Sequence, residues 1–262
     1  MLELAAYGAR KRLKGALALA VGLSAFSAMY AAFFPSFTNT LDLESYIEAL
    51  PPVFVEAFGL RAFNTIEGFL ATELYQFAWV VLLGLYLAYS AASLVAGDVE
   101  DDRIDLLLAL PVSRARIVAE KYVSLAPGVL VVNVVVAAAT WTATRAIGYP
   151  IGTVDLVVVH ALSLPYLFAC AAIGLAFSVL VDRESVAQRA AMATVFGLFL
   201  LESVVATTDY EWAGAIAPMR YYDPTAILVD GTYDVAGAAI LTAATLALVA
   251  GSQLYFRQKD VN

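Results

Sequence analysis

Long apolar stretches separated by short polar segments make up most of this chain. Six stretches are long enough to cross a bilayer, which takes about 20 residues in a helix. We therefore predict an all-α, polytopic membrane protein that forms a single transmembrane domain over residues 1–262. The predicted spans are 15–34, 75–96, 122–144, 155–181, 190–206 and 235–256.

The most charged interruption, residues 97–121, separates spans two and three. A charged segment between two membrane-length apolar runs must lie in water. Acidic residues crowd its start, where a helix N-terminus favours negative charge. Ile104, Leu107 and Leu108 follow at helical spacing, which indicates a short amphipathic helix with an apolar face to bury. That face fits either a membrane surface or another protein.

The sequence also predicts where this short helix ends. Pro111 cannot continue a helix and moves the residue before it out of helical geometry. Ser113 can cap the next helix, which opens with Arg114 and leads into span three. The segment is therefore predicted to be a short helix, a sharp break and a new helix.

The distribution of Lys and Arg predicts the orientation of the chain. With both termini in the cytoplasm, twelve of the fifteen basic residues lie inside and only Arg61, Arg145 and Arg220 lie outside. Cytoplasmic loops carry such an excess of basic residues. Segments 35–74 and 207–234 are then extracytoplasmic, and segment 97–121 faces the cytoplasm.

Segment 97–121 resembles the cytoplasmic coupling loop of type-2 (ABC-2 type) ABC transporter permeases. In that family an acidic residue precedes a Gly-Thr pair, a Leu-rich turn, a Pro-Val-Ser-Arg run and a Lys at the start of the next helix. This chain has, in the same order, Glu100, Leu106–Leu108, Pro111–Arg114 and Lys121. It departs from the pattern at Asp102-Arg103, in place of Gly-Thr, and at Ala109.

The resemblance implies a permease subunit of an ATP-driven exporter in the cytoplasmic membrane. Its partners would be an ABC ATPase subunit, a second permease chain (identical or different) and the lipid bilayer. ATP and Mg would bind to the ATPase subunit, and this chain would bind no cofactor or metal and catalyse no reaction. The residues that we expect to contact the ATPase are Glu100, Asp105, Leu107, Leu108, Pro111 and Arg114.

Composition further limits the class of protein and the kinds of partner and site that the chain can have. Only 15% of the residues are charged, against about 25% in soluble domains. The net charge of −8 argues against nucleic acid as a partner, and such an acidic chain suggests a haloarchaeal origin. Cys170 is the only cysteine, so disulfides and thiolate clusters are excluded. No phosphate-binding Gly-x-x-x-x-Gly-Lys motif is present.

Four polar residues in or near the outer halves of the spans are candidates for a transport pathway or outer gate. They are Asn133, His160, Glu202 and Arg220. An acid within a span is costly and usually faces the protein interior or a water-filled cavity. Glu202 therefore snorkels to the outer interface, pairs with Arg220 or lines a pathway, and His160 is either a hydrogen-bonded structural residue or a pathway residue.

Two other functions remain open. Glu202 and His160 could serve a membrane-embedded enzyme that acts at the outer surface. The same helical scaffold could also belong to an assembly or maturation subunit, for example one that serves copper-site maturation. The apolar segment 212–224 indicates either short re-entrant helices or an interfacial loop.

Overall fold

The computed structural model describes residues 3–40, 50–51, 62–104 and 112–259, without side chains at 38–40. The described residues contain helices and no strands, and six helices are long and apolar enough to cross a membrane. This confirms the predicted all-α, six-helix architecture. Asp105, Leu107, Leu108 and Pro111, and with them the body of the predicted amphipathic helix, lie outside the described residues.

Eight helices, numbered α1 to α8, cover most of the described residues. They are α1 (Glu3–Thr40), α2 (Ile66–Glu100), α3 (Arg114–Val123), α4 (Ala126–Ala146), α5 (Thr153–Leu180), α6 (Glu184–Val205), α7 (Pro224–Leu228) and α8 (Val235–Gln258). Helices α3 and α4 together form one apolar stretch, and Pro127 lies in the first turn of α4. Two 3₁₀ turns, Glu211–Ile216 and Pro218–Tyr221, precede α7.

The first two helices extend beyond the apolar runs. Helix α1 begins at Glu3 rather than at residue 15 and continues through Pro35. Helix α2 begins at Ile66 rather than at residue 75, and the side chain of Thr65 caps it by accepting from Gly68 N. Hydropathy alone misses these turns because their charged residues interrupt the apolar pattern, whereas Phe69 and its neighbours are buried.

The helices alternate in direction, so the bundle has two distinct ends. We call the end that holds Glu3 and Lys259 the proximal end, and the other the distal end. The proximal end contains the end of α2 and the start of α3, as contacts between Glu100 and Glu184 and between Arg114 and Lys259 show. Both flanks of segment 97–121 therefore lie at the same end as the two chain termini.

The most extensive helix contact joins α2 and α5, which run in the same direction. Near the proximal end, Ser178 Oγ accepts from Val95 N at 2.8 Å and Ala96 N at 3.1 Å. In the middle, a Cβ atom at Gly174 would stand 2.1 Å from the carbonyl oxygen of Ala88. Close approach of two backbones needs a small residue at the contact, so Gly174 sets the distance between these helices.

The end of α2 has a left-handed residue where the resemblance leads one to expect glycine. Arg103 N donates to Asp98 O at 2.8 Å and Asp102 N donates to Val99 O at 3.2 Å, the hydrogen-bond pattern of a Schellman motif. Asp102 occupies the C′ position of that motif with φ 54°. Glycine adopts this conformation without strain. This left-handed conformation explains the glycine of the family pattern, and Asp102 adopts the same conformation with some backbone strain.

We expect Gly174→Ala to destabilise the protein by about 1–3 kcal/mol, because the new methyl group would force α2 and α5 apart. Gly197→Ala on α6 is the matched control, since no atom lies within 4 Å of its added Cβ. Thermal unfolding in detergent measures both variants. Equal melting temperatures for the two variants would show that the α2–α5 distance is not critical.

We expect Asp102→Gly to stabilise the protein by about 1 kcal/mol, because glycine relieves the left-handed strain. Asp102→Ala removes the same charge but keeps a Cβ atom, and should therefore lower the melting temperature. If both variants shift the melting temperature in the same direction, then charge rather than backbone conformation governs this position.

Candidate functional site

Glu100, a predicted ATPase-contact residue, connects the end of α2 to the start of α6. Its Oε2 atom accepts a hydrogen bond of 2.6 Å from the backbone N–H of Glu184, the first residue of α6. The first backbone N–H groups of a helix lack intrahelical partners and carry partial positive charge, so a carboxylate there stabilises the helix. The side chain of Glu100 therefore serves as a cap for span five.

Arg114, the second described contact residue, connects the start of α3 to the end of α8. Its Nη1 atom donates to the carbonyl oxygen of Lys259 at 2.5 Å, and its guanidinium lies 6.0 Å from the ring centroid of Phe256. Ser113 is the N-cap of α3 and accepts from Arg116 N at 3.3 Å, as the sequence predicts. The second flank of segment 97–121 is thus held against span six.

Glu120 ties the same region to the first span, a role that the sequence analysis missed. Its Oε2 atom accepts from the backbone N–H groups of Leu4 at 3.1 Å and Ala5 at 3.4 Å. Its Oε1 atom accepts from Arg116 Nε at 2.7 Å, and the residue is only 4% exposed. The sequence does contain one signal for this role, because Glu120 follows Arg116 by four residues and comes just before an apolar span.

Ion pairs also connect the end of α2 with α3. Lys121, the family-pattern lysine, pairs with Asp98. Arg103 also pairs with Asp98 at 3.4 Å, and with Asp101 at 2.6 Å. We define the proximal junction as Glu100, Arg114 and Glu120, the three residues that attach the flanks of segment 97–121 to α6, α8 and α1.

Toward the distal end, Asn133 and His160 lie together in a buried polar cluster. Asn133 Oδ1 lies 3.3 Å from His160 Nδ1 and accepts from Ser163 Oγ at 3.1 Å, while Asn133 Nδ2 donates to Val129 O. His160 Nε2 lies 3.0 Å from the hydroxyl of Tyr75. Since Asn133 Oδ1 can only accept, His160 donates from Nδ1 and Nε2 accepts from Tyr75.

This cluster borders an unusual stretch of α2. Residues Ala71–Leu83 form a π-helix, which carries Tyr75 and Trp79. The Trp79 ring meets the His160 ring edge-on, with centroids 4.9 Å apart, and both side chains are buried. Long π-helices are rare, and π-bulges occur frequently at functional sites. No pattern in the sequence predicts the π-helix.

Glu202 and Arg220 form a second pair at the distal end. Arg220 Nη1 lies 3.8 Å from Glu202 Oε2 and also donates to the carbonyl oxygen of Glu211. Glu202 is 8% exposed, and an added Cβ at Gly214 would overlap its carboxylate. The 3₁₀ turn that contains Gly214 therefore covers Glu202. Pairing with Arg220 is one of the three roles that the sequence leaves open for Glu202, beside snorkelling and lining a pathway.

The four predicted pathway residues thus form two separate pairs. His160 uses both ring nitrogens for Tyr75 and Asn133, and Glu202 faces Arg220. No contact among the described residues brings His160 and Glu202 together, as an acid–base pair would require. Nor do the described residues contain a group of three or more His, Cys, Asp or Glu that could hold a metal ion.

Some side chains of segment 206–234 pack on the bundle, and others are exposed. Tyr222 is buried, stacks on Tyr166 and donates to Val159 O at 3.0 Å. Tyr210 and Trp212 are mostly exposed. Aromatic side chains at the end of a membrane bundle suit the membrane–water interface. This segment therefore closes the distal end of α5 and α6 while presenting aromatic rings outward.

Comparison with protein families gives one match that covers nearly the whole chain. The family described as "ABC-2 family transporter protein" matches residues 9–261. Comparison with curated proteins gives no match. The match spans all six apolar helices and both ends of the bundle. The chain therefore belongs to the ABC-2 transporter family and is a membrane-spanning component of an ABC transporter.

Proposed function

We propose that this chain is the permease subunit of an ATP-driven exporter of the cytoplasmic membrane. It works as a pair with a second permease chain, identical or different, and with two ABC ATPase subunits that bind ATP and Mg. Segment 97–121 is the coupling segment that docks on the ATPase. Its predicted contact residues include Glu100 and Arg114 at the flanks and Asp105, Leu107, Leu108 and Pro111 between them.

The observation that carries this proposal is the proximal junction. Glu100, Arg114 and Glu120 attach the flanks of the segment to the ends of α6, α8 and α1 by hydrogen bonds of 2.6 Å, 2.5 Å and 3.1 Å. A force applied to the segment would therefore reach three spans besides the two that it connects. A surface helix that only lies on lipid headgroups needs no such attachments.

Basic residues support the proposed orientation. The proximal end carries the basic run of α1, the basic residues of segment 97–121 and those that flank α6 and α8. Arg145 and Arg220 lie at the distal end, and Arg61 lies outside the described residues. By the positive-inside rule, this distribution supports a cytoplasmic proximal end, where ATP is available. The net charge of −8 fits a haloarchaeal host.

Polar pairing at the distal end supports transport rather than chemistry. The hydrogen-bonding groups of His160 and Asn133 are already used within the bundle, and Glu202 is covered by the turn that holds Gly214. Such pairs can separate and re-form when helices move, as an outer gate requires. We therefore assign Asn133, His160, Glu202 and Arg220 to the outer gate.

We expect Leu107→Asp to leave the protein in the membrane but to uncouple it from the ATPase. A carboxylate on the docking face would be desolvated without a partner, which costs several kcal/mol. The permease-dependent part of ATP hydrolysis, measured in nanodiscs with the cognate ATPase, should fall to the level of the ATPase alone. Leu107→Met keeps an apolar face and is the control. Normal ATPase binding and coupling in Leu107→Asp would refute the docking assignment.

We expect Glu100→Ala to reduce permease-dependent ATP hydrolysis about two- to fivefold, since losing a helix cap costs about 1 kcal/mol. Glu100→Gln keeps an acceptor oxygen and should recover much of the activity. Asp101→Ala is the matched control, because it removes a neighbouring charge whose ion pair is with Arg103 rather than with α6. A loss as large in Asp101→Ala as in Glu100→Ala would mean that local charge, not the link to α6, matters.

A further inference from the structure

A polar cavity of about 540 Å³ opens at the proximal end between α1, α2 and α3. Ionisable side chains form much of its wall, together with Tyr7, Ser93 and Ser124. The charges are unequal, because four basic side chains face two acidic ones. They are Lys11, Arg12, Arg103 and Lys121 against Asp98 and Glu184. The wall therefore attracts an anion.

Two of the four cations form no direct ion pair with the residues that the structure describes, although Asp98 also attracts Arg12 from a greater distance. Lys121 and Arg103 both pair with Asp98, and Glu184 accepts from Gln188 at 2.9 Å. Lys11 and Arg12, in contrast, make no hydrogen bond or ion pair with any residue that the structure describes. Arg12 is also only partly exposed. A partly buried guanidinium whose N–H groups have no direct hydrogen-bond partner is a favourable place for a bound anion.

Arg12 also lies at the mouth of a second, apolar space. A crevice of about 40 Å³ runs between α1, α2 and α4 and is lined by Arg12 and mainly by aliphatic side chains. These include Ala16, Leu19, Leu83, Leu87, Val129 and Val132. Its α1 wall extends from Arg12 to Leu19, about 10 Å at 1.5 Å per residue. A cationic cavity and an apolar crevice thus meet at one arginine.

We propose that this site binds a phosphate-bearing amphiphile, with its phosphate on Lys11 and Arg12. The planar guanidinium of Arg12 matches two phosphate oxygens, and Lys11 adds a point charge. The first methylene groups of the hydrocarbon chain occupy the crevice, and the rest of the chain lies in the bilayer. Basic pockets between transmembrane helices suit anionic lipid headgroups in this way.

The apolar crevice distinguishes an amphiphile from a free anion. Inorganic phosphate would satisfy the two cations but would leave the aliphatic walls of the crevice without a ligand. Burying methylene groups there adds about 0.8 kcal/mol for each CH₂. The inference goes beyond the proposed exporter and does not depend on it, because binding requires neither ATP hydrolysis nor movement of the helices.

The test is a lipid titration of the purified full-length chain in a neutral detergent. The probes are dioctanoyl phosphatidylglycerol, dioctanoylglycerol (the same chains without phosphate) and glycerol 3-phosphate (phosphate without chains). Melting temperature and binding affinity are measured for each probe. We expect phosphatidylglycerol to raise the melting temperature and to bind at least about tenfold more tightly than either of the other two.

Variants locate the site within the basic run of α1. Lys11→Gln combined with Arg12→Gln should weaken phosphatidylglycerol binding about tenfold or more. Arg10→Gln combined with Lys14→Gln is the matched control, because it removes the same charge from the same helix and neither residue lines the cavity. Binding by the control pair should remain close to that of the unmodified chain.

Three results would overturn the proposal. Equal binding of dioctanoylglycerol would show that the phosphate plays no part. Equal binding of glycerol 3-phosphate would show an anion site without a chain subsite. Equal losses in the two variant pairs would show a diffuse effect of charge rather than a site. The comparison among the three probes uses the unmodified chain, so it remains decisive even if a variant does not fold.

Discussion

The close contact between α2 and α5 is the constraint on which both the proximal junction and the distal polar cluster depend. Gly174 lets the two backbones approach, and Ser178 and Tyr166 hydrogen-bond from α5 to the backbone of α2 on either side of it. Helix α2 carries Tyr75 in its distal half and ends at the start of segment 97–121. A change in the packing of α2 against α5 would therefore affect the distal polar cluster and the proximal junction together.

The two ends of the bundle use different kinds of interaction. In the distal half, Asn133 and His160 are buried and hydrogen-bonded to partners from other elements, and Glu202 is buried beside Arg220, in the low-dielectric interior of a membrane protein. Two of the three residues of the proximal junction are charged groups at helix ends, whereas the third, Glu120, is buried. Glu100 and Arg114, for example, contact backbone groups of α6 and the end of α8. Charges near water exchange partners at low cost, which suits the end that is proposed to move with an ATPase.

Periodicity and charge were sufficient to predict the all-α fold, the number of spanning helices and the cap at Ser113. They were not sufficient for helix ends, because charged residues interrupt the apolar pattern in the first turns of α1 and α2, although Phe69 and its neighbours in α2 are buried. The pairing of Glu202 with Arg220 was one of three alternatives that the sequence offered, since both residues fall near the same end.

The contacts of Glu120 and the π-helix around Tyr75 depend on tertiary packing and leave little trace in the local sequence. The same limit applies to Asp102. Its difference from the family pattern was visible in the sequence, but its left-handed conformation, and so the reason for the family's glycine, required the structure.

The central claim is that segment 97–121 contacts an ATPase at the proximal end. The most direct measurement places a photocrosslinking amino acid at Leu108 and, in a separate variant, at Trp212, which is exposed at the distal end. Each variant is irradiated in native membranes and its adducts are identified by mass spectrometry. The account predicts an adduct with a phosphate-loop ATPase from position 108 and none from position 212. Copurification of the ATPase without a crosslink at 108, or a crosslink at 212, would contradict it.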